Sequence, residues 1–194
     1  MIKRVILITG TPCVGKTTVS KALASALDAV YVNLTELALK ENLVLGVDEE
    51  RDSTIIDETA MKKKIEEIVE QCDRENVVID GHYASLVVGR DVGYVFVLRR
   101  NPIELKEMME DAGFAGRKMW ENLASEILDV CLIDALENHA AEKVCEIDVS
   151  HKRTAEVVSE IIAVLNGHQK CRAGVVDWLR MLENQGVLDE VLKI

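Results

Sequence analysis

The feature that most constrains the fold of this chain of 194 residues is one unbroken string near its start. Val5-Ile6-Leu7-Ile8 is an apolar run without alternation, the pattern of a strand covered on both faces of a parallel sheet. It leads directly into Gly10-Thr11-Pro12-Cys13-Val14-Gly15-Lys16-Thr17, which satisfies the phosphate-loop pattern G-x-x-x-x-G-K-[ST]. Lys16 to Leu27 then reads as a helix with Val19, Leu23 and Leu27 on one side. Such a loop turns successive backbone N–H groups inward as an anion nest, and the helix behind it adds the positive end of its dipole. Its glycines tolerate the unusual torsions and leave room for phosphate oxygens.

The rest of the chain repeats the alternation of strand and helix. Further strands are expected at Val30–Val32, Val77–Ile79, Tyr94–Leu98 and Val144–Ile147. Helices are expected at Leu34–Glu41, Asp57–Cys72, Pro102–Glu110, Trp120–His139 and Thr154–Leu165. Thr154 would cap the last of these and Gly167 would stop it. The polar stretch Gly46–Ser53 reads as a loop, and Gly113–Lys118 breaks the helix before it. This order implies an α/β fold, a five-stranded parallel sheet flanked by helices, over residues 1–167. In residues 168–194, Val175, Trp178, Leu179 and Leu182, then Val187, Leu188, Val191 and Leu192, suit two short amphipathic helices about Gly186. That extension packs on the core, extends a partner surface or mediates self-association.

A formal net charge of −11 disfavours binding to nucleic-acid backbone, DNA included; it suits either a basic protein partner or simple solubility. Five cysteines, odd in number and without metal-ligand spacing, argue against a disulfide framework or zinc site and for a reducing, cytoplasmic setting. No apolar stretch is long enough for a membrane-spanning helix.

Within the loop, Lys16 can reach the β- and γ-phosphates of ATP, and the Thr17 hydroxyl can ligate Mg²⁺. Gly10, Cys13, Val14, Gly15, Lys16, Thr17 and Thr18 form the expected nucleotide cradle. Asp80 closes an apolar strand, as does the acid that holds Mg²⁺ in phosphate-loop proteins, although strand-end Asp also forms turns. His82 either orients a water or phosphate or caps the turn. Arg99, Arg100, Arg117 and Lys118 are candidate clamps for the transferred group, or surface charges. Arg51 either meets an acceptor phosphate or is an exposed loop charge.

Gly10–Thr18, Asp57-Glu58, Val78-Ile79-Asp80-Gly81-His82, Val97-Leu98-Arg99, Glu121-Asn122 and Glu126-Ile127-Leu128, in that order, resemble the archaeal and eukaryotic adenylate kinase isoenzyme 6 family over about residues 4–166. The resemblance implies an acceptor-binding segment at about 33–57, with Asn33, Arg51 and Asp57 toward the nucleoside monophosphate, and a short lid at about 108–118. It implies Mg²⁺-dependent transfer from ATP to AMP, giving two ADP, and accompanying ATPase activity. It further implies a part in small-subunit rRNA maturation through a basic small-subunit ribosomal protein. The family's Asp-x-His motif falls on Asp80 and His82, which makes His82 a site residue. Cytidylate, shikimate and gluconate kinases share the loop, but the Asp80-Gly81-His82 string and the short lid argue against them. The chain departs from the family at three positions. Cys13 stands where a third loop glycine is usual, and Met108 and Ala112 stand where the lid helix usually carries arginines. Arg117, Lys118 or Arg99 would have to replace the lid charge.

Overall fold

The computed structural model describes residues 3–48, 53–87, 89 and 92–193. Its centre is a five-stranded parallel sheet in the order β2-β5-β1-β6-β7. These strands are β1 (Arg4–Thr9), β2 (Val30–Asn33), β5 (Asn76–Asp80), β6 (Val92–Arg99) and β7 (Val144–Asp148). The unalternating strand sequences have a direct cause, since successive side chains enter opposite cores. Ile6 and Ile8 of β1 join Val78, Phe96 and Leu98 on one face. Val5 and Leu7 join Val77, Ile79, Val95 and Val97 on the other.

Helices cover both faces. Against the first lie α1 (Lys16–Ala26), α4 (Pro102–Asp111), α5 (Gly116–Ile127) and α7 (Thr154–Leu165), through residues such as Leu23, Met109, Leu123 and Ile161. Against the second lie α2 (Leu34–Lys40), α3 (Glu58–Gln71) and α6 (Val130–Asn138), through Leu37, Ile65 and Leu132. Asn101 caps α4, whose Pro102 sits in the first turn, where its missing N–H costs nothing.

Three expectations are corrected. Gly46–Ser53 is not one loop: β3 (Val44–Asp48) and β4 (Ser53–Ile56) pair antiparallel, with Val44 opposite Ile56 and Gly46 opposite Ile55. Each run is too short to declare itself; pairing supplies the backbone hydrogen bonds that stabilise both. The expected helix Trp120–His139 is broken between α5 and α6, where Asp129 takes a left-handed φ of 60°. An aspartate tolerates that conformation, and here its carboxylate accepts from Arg99 Nη2 at 2.5 Å. Finally, Cys145 of β7 is joined in a disulfide to Cys171, 26 residues on, with Cα atoms 4.8 Å apart. Spacing along the chain could not reveal a pair that forms because the tail folds back on β7. The cysteine argument for a reducing compartment loses its premise.

The tail carries α8 (Trp178–Gln185) and α9 (Leu188–Val191), with Gly186 at φ 71° ending α8. Leu182 and Val191 close a small core with Ile127 of α5 and Ile103 of α4. No helix among the described residues is long and apolar enough to cross a membrane.

Candidate active site

The loop between β1 and α1 lies at the carboxyl end of the central strand. It sits where the chain, having built β2 on one side, later builds β6 on the other; open α/β sheets bind ligands at such points. Gly10 adopts φ 140°, and a Cβ there would stand 2.5 Å from the Leu98 carbonyl oxygen, so only glycine fits. Gly15 has φ 101° and opens α1. Cys13 is also left-handed, at φ 68°. The loop therefore requires at this position a conformation that glycine adopts freely and a cysteine adopts at a cost of about 1–2 kcal/mol.

On the open side of the loop, Lys16 Nζ donates to the carbonyl oxygens of Gly10 and Thr11, both at 2.8 Å. Burial pushes the Lys16 pKa down, opposed by nearby negative charge including that of Asp80 and Glu126. Asp80 ends β5, opposite Ile8 of β1, and is 1% exposed. Its Oδ2 accepts from the Thr17 hydroxyl at 2.9 Å. Its Oδ1 accepts from Tyr31 Oη at 2.9 Å and Asn33 Nδ2 at 3.0 Å. Burial and the bond to Asp80 raise the Tyr31 pKa to about 12, so the phenol remains a donor. Tyr31 and Asn33 thus fix one carboxylate oxygen and aim the other at Thr17. A carboxylate and a hydroxyl are the hard oxygen donors that suit Mg²⁺, so this pair fits the metal expected there.

His82 reaches the same site from the turn after β5. Its Nδ1 lies 3.3 Å from the Gly10 carbonyl oxygen and 3.8 Å from Cys131 Sγ. Burial lowers its pKa, the Gly10 carbonyl opposes that shift and the Lys16 charge reinforces it. Its own carbonyl accepts from the Thr9 hydroxyl at 2.9 Å, which ties the turn to β1. Cys131, whose thiol burial pushes up to about 11, was not anticipated; it arrives on α6, far along the chain, and no local motif marks it.

The expected residues do not all converge. Asn33 caps α2 through Glu36 N as well as binding Asp80. Asp57 caps α3, accepting from Ala60 N at 2.9 Å. Arg51 lies outside the described residues. Arg117 lies in the first turn of α5, where it is exposed and paired with Glu121 at 2.6 Å. Met108 is exposed on α4 and Ala112 ends that helix in the open.

Arg99 is the correction. It was expected to help clamp ATP phosphates, yet it is 1% exposed and faces the interior. Its Nε donates to Glu126 Oε1 at 2.9 Å, its Nη1 to Glu146 Oε1 at 2.5 Å, and its Nη2 to Asp129 Oδ1 at 2.5 Å. Burial works against its charge, but the surrounding carboxylates outweigh it and hold the pKa above the ordinary value. The physical reason is the company that α5, α6 and β7 bring to the end of β6: three acids converge there and need a cation.

This fold and loop define a phosphate-loop nucleotide-binding protein of the α/β kinase type. Residues 6–129 match the AAA domain family. The chain is 41% identical over 173 residues to a protein of Methanocaldococcus jannaschii named "Putative adenylate kinase", covering 89% of this chain and 92% of that one. It is 38% identical over 192 residues to the protein of the same name from Thermococcus kodakarensis, covering 97% of each. In fold it is similar to a gluconokinase from Sinorhizobium meliloti, with a TM-score of 0.53 at 17% identity over 95% of this chain and 97% of that one. The chain belongs to the AAA domain family and to the family of these archaeal proteins named for adenylate kinase.

Proposed function

We propose that the chain is a Mg²⁺-dependent adenylate kinase that transfers the γ-phosphoryl group of ATP to AMP, giving two ADP. The observation that carries this reading is the pairing of Thr17 with Asp80 beside Lys16, at the mouth of a loop with glycine-only geometry. The names of its relatives support the choice of substrates.

The attacking oxygen of AMP is already an anion, so no general base is required; catalysis is positioning and charge neutralisation. The loop N–H groups and Lys16 bind the phosphates, and Lys16 exchanges its carbonyl partners for phosphate oxygens as ATP enters. Thr17 and Asp80 would hold Mg²⁺, which when bound supplies charge neutralisation at the phosphates. Tyr31 and Asn33 keep Asp80 in its orientation. His82, largely buried and biased toward its neutral form, orients a phosphate or water through the nitrogen not turned to Gly10. Arg117 and Lys118 are the cations near the lid break that can serve the transferred group, since Arg99 is committed to the interior.

A second reading is favoured by Met108 and Ala112, exposed where the resembled family carries arginines. In it the chain is a nucleotide-switched ATPase that acts in small-subunit ribosome assembly and binds a basic ribosomal protein, with little kinase activity. Steady-state ADP formation from Mg²⁺·ATP, with and without each nucleoside monophosphate, separates the two. Strong stimulation by AMP supports the kinase. Slow hydrolysis indifferent to every monophosphate overturns it and favours the assembly ATPase, which must then show salt-sensitive association with small-subunit ribosomal proteins.

A further inference from the structure

The C-terminal tail has no part in the mechanism above, yet one of its side chains shares a carboxylate with the phosphate loop. Trp178, at the start of α8, is buried, and its indole Nε1–H donates to Glu126 Oε1 at 3.0 Å. The same oxygen accepts from Arg99 Nε at 2.9 Å and from the Arg100 N–H at 3.1 Å. The other oxygen, Oε2, accepts from the Thr11 hydroxyl at 2.6 Å. Thr11 is fully buried, and Glu126 is 1% exposed.

Glu126 is thus held through one oxygen and holds the loop through the other. With three donors on Oε1, the carboxylate cannot turn without breaking them, so Oε2 is fixed in place. Arg99 does not take both oxygens of Glu126 as a bidentate partner; it divides its guanidinium among Glu126, Glu146 and Asp129. Oε2 is thereby left to Thr11 and a share of Oε1 to Trp178. Thr11 is the second residue of the loop, and its carbonyl receives Lys16 Nζ. The tail is itself anchored: Val175 N donates to Glu146 Oε2 at 2.6 Å, Glu146 N donates to Arg172 O at 2.7 Å, and Cys171 is bonded to Cys145.

The geometry points to Glu126 and Trp178 as positioning residues: the tail's indole helps fix Glu126, and Glu126 fixes Thr11, so that the loop is pre-set for the phosphates of ATP. Both side chains are buried and act through Thr11. Supporting contacts of this kind hold a binding constellation within a fraction of an ångström of its productive shape. The inference rests on the reading of the loop as the ATP site.

The test is the ATP dissociation constant of the full chain, measured with Mg²⁺ by calorimetric titration beside the thermal unfolding midpoint. Thr11→Val, which cuts the link and leaves the ion cluster intact, is expected to weaken ATP about tenfold, as for loss of a hydrogen bond to a charged group. Thr11→Ser restores most of the affinity. Trp178→Phe keeps the buried ring but not the donor; it is expected to weaken ATP about threefold in the native chain and scarcely at all beside Thr11→Val. The same threefold loss in both backgrounds, or a lower unfolding midpoint with unchanged ATP affinity, would overturn the relay. Should Trp178→Phe fail to fold, Thr11→Val decides alone, and an unchanged ATP affinity there overturns the proposal as well. A native chain that bound no ATP would overturn the loop reading itself, and this inference with it.

Discussion

The phosphate loop has two sides, and they are built in opposite ways. Its open side is local: Lys16 and Thr17 come from the loop's own sequence, and Asp80 and His82 from the end of the adjacent strand. Its underside is assembled from afar. Thr11 meets Glu126 of α5, which meets Arg99 of β6 and Trp178 of the tail, while Glu146 of β7 meets Arg99 and the backbone of Val175. The open side carries groups with spare bonding capacity toward a ligand. The underside is saturated, with its charges removed from water and paired. Removing a group from the first should cost chemistry and spare the fold; removing one from the second should cost the fold first.

Lys16→Ala breaks the comparison most sharply if it fails. It is expected to lower ADP formation by at least about 10³-fold, because on the proposed reading it deletes the cation that meets the transferring phosphates. Circular dichroism and the unfolding midpoint should stay close to those of the native chain. Retained activity with an intact fold would remove the central premise. Arg99→Met is the mirror experiment. It leaves Glu126 and Glu146 buried without their shared cation, and breaking such a pair from one side costs about 3–5 kcal/mol of stability, read by urea unfolding. An undiminished unfolding free energy would mean that the underside is not held by charge.

The histidine of the open side gives a smaller effect with a definite sign. Burial lowers the His82 pKa below 6.5, so the unfolded chain binds a proton there before the folded chain does. Stability from this group is fully present above pH 6.5 and is lost as pH falls from that value through the lowered one. His139, also lowered by burial, acts in the same direction. Unfolding free energy measured between about pH 5 and 7 should therefore rise with pH, and His82→Asn should flatten the slope without abolishing it. An unchanged slope would place His82 outside the buried set. The least effect is expected of Cys13→Gly. It relieves a left-handed cysteine but frees the unfolded chain, so the gain in unfolding free energy is at most about 1 kcal/mol.

Legibility followed the same division. β1 runs Arg4–Thr9, as its apolar run implies, and α7 runs Thr154–Leu165 as expected. β1 is marked by its unbroken apolar run, and α7 by its apolar period and by Gly167, left-handed at φ 74°, just past its end. The expected cap Thr154 is corrected: Arg153 takes the N-cap position, closing a capping box with Glu156, and Thr154 is the first residue of the helix. The two tail helices about Gly186 were readable for that reason too, but not where they pack. The β3–β4 hairpin was missed because each strand is stabilised by the other and neither carries enough pattern alone. The α5–α6 break was missed because its cause, the pull of Arg99 on Asp129, comes from another element. The role of Arg99 is hidden for a related reason: an arginine after a strand looks the same in sequence whether it faces a ligand or three acids.

What the amino-acid order determined by itself was the strand–loop–helix unit and the parallel sheet it belongs to. With them came the identity of Lys16, Thr17 and Asp80 as the groups at the loop's mouth. The cause is that torsional demands of glycine, apolar periodicity and motif spacing are all properties of neighbouring residues. Only the tertiary structure decided that Arg99 is a buried counter-ion, that Cys145 meets Cys171, and that Trp178 shares a carboxylate with the phosphate loop. Charges and donors taken out of water must find partners wherever the packed chain brings them, and that depends on which elements pack together rather than on spacing along the chain.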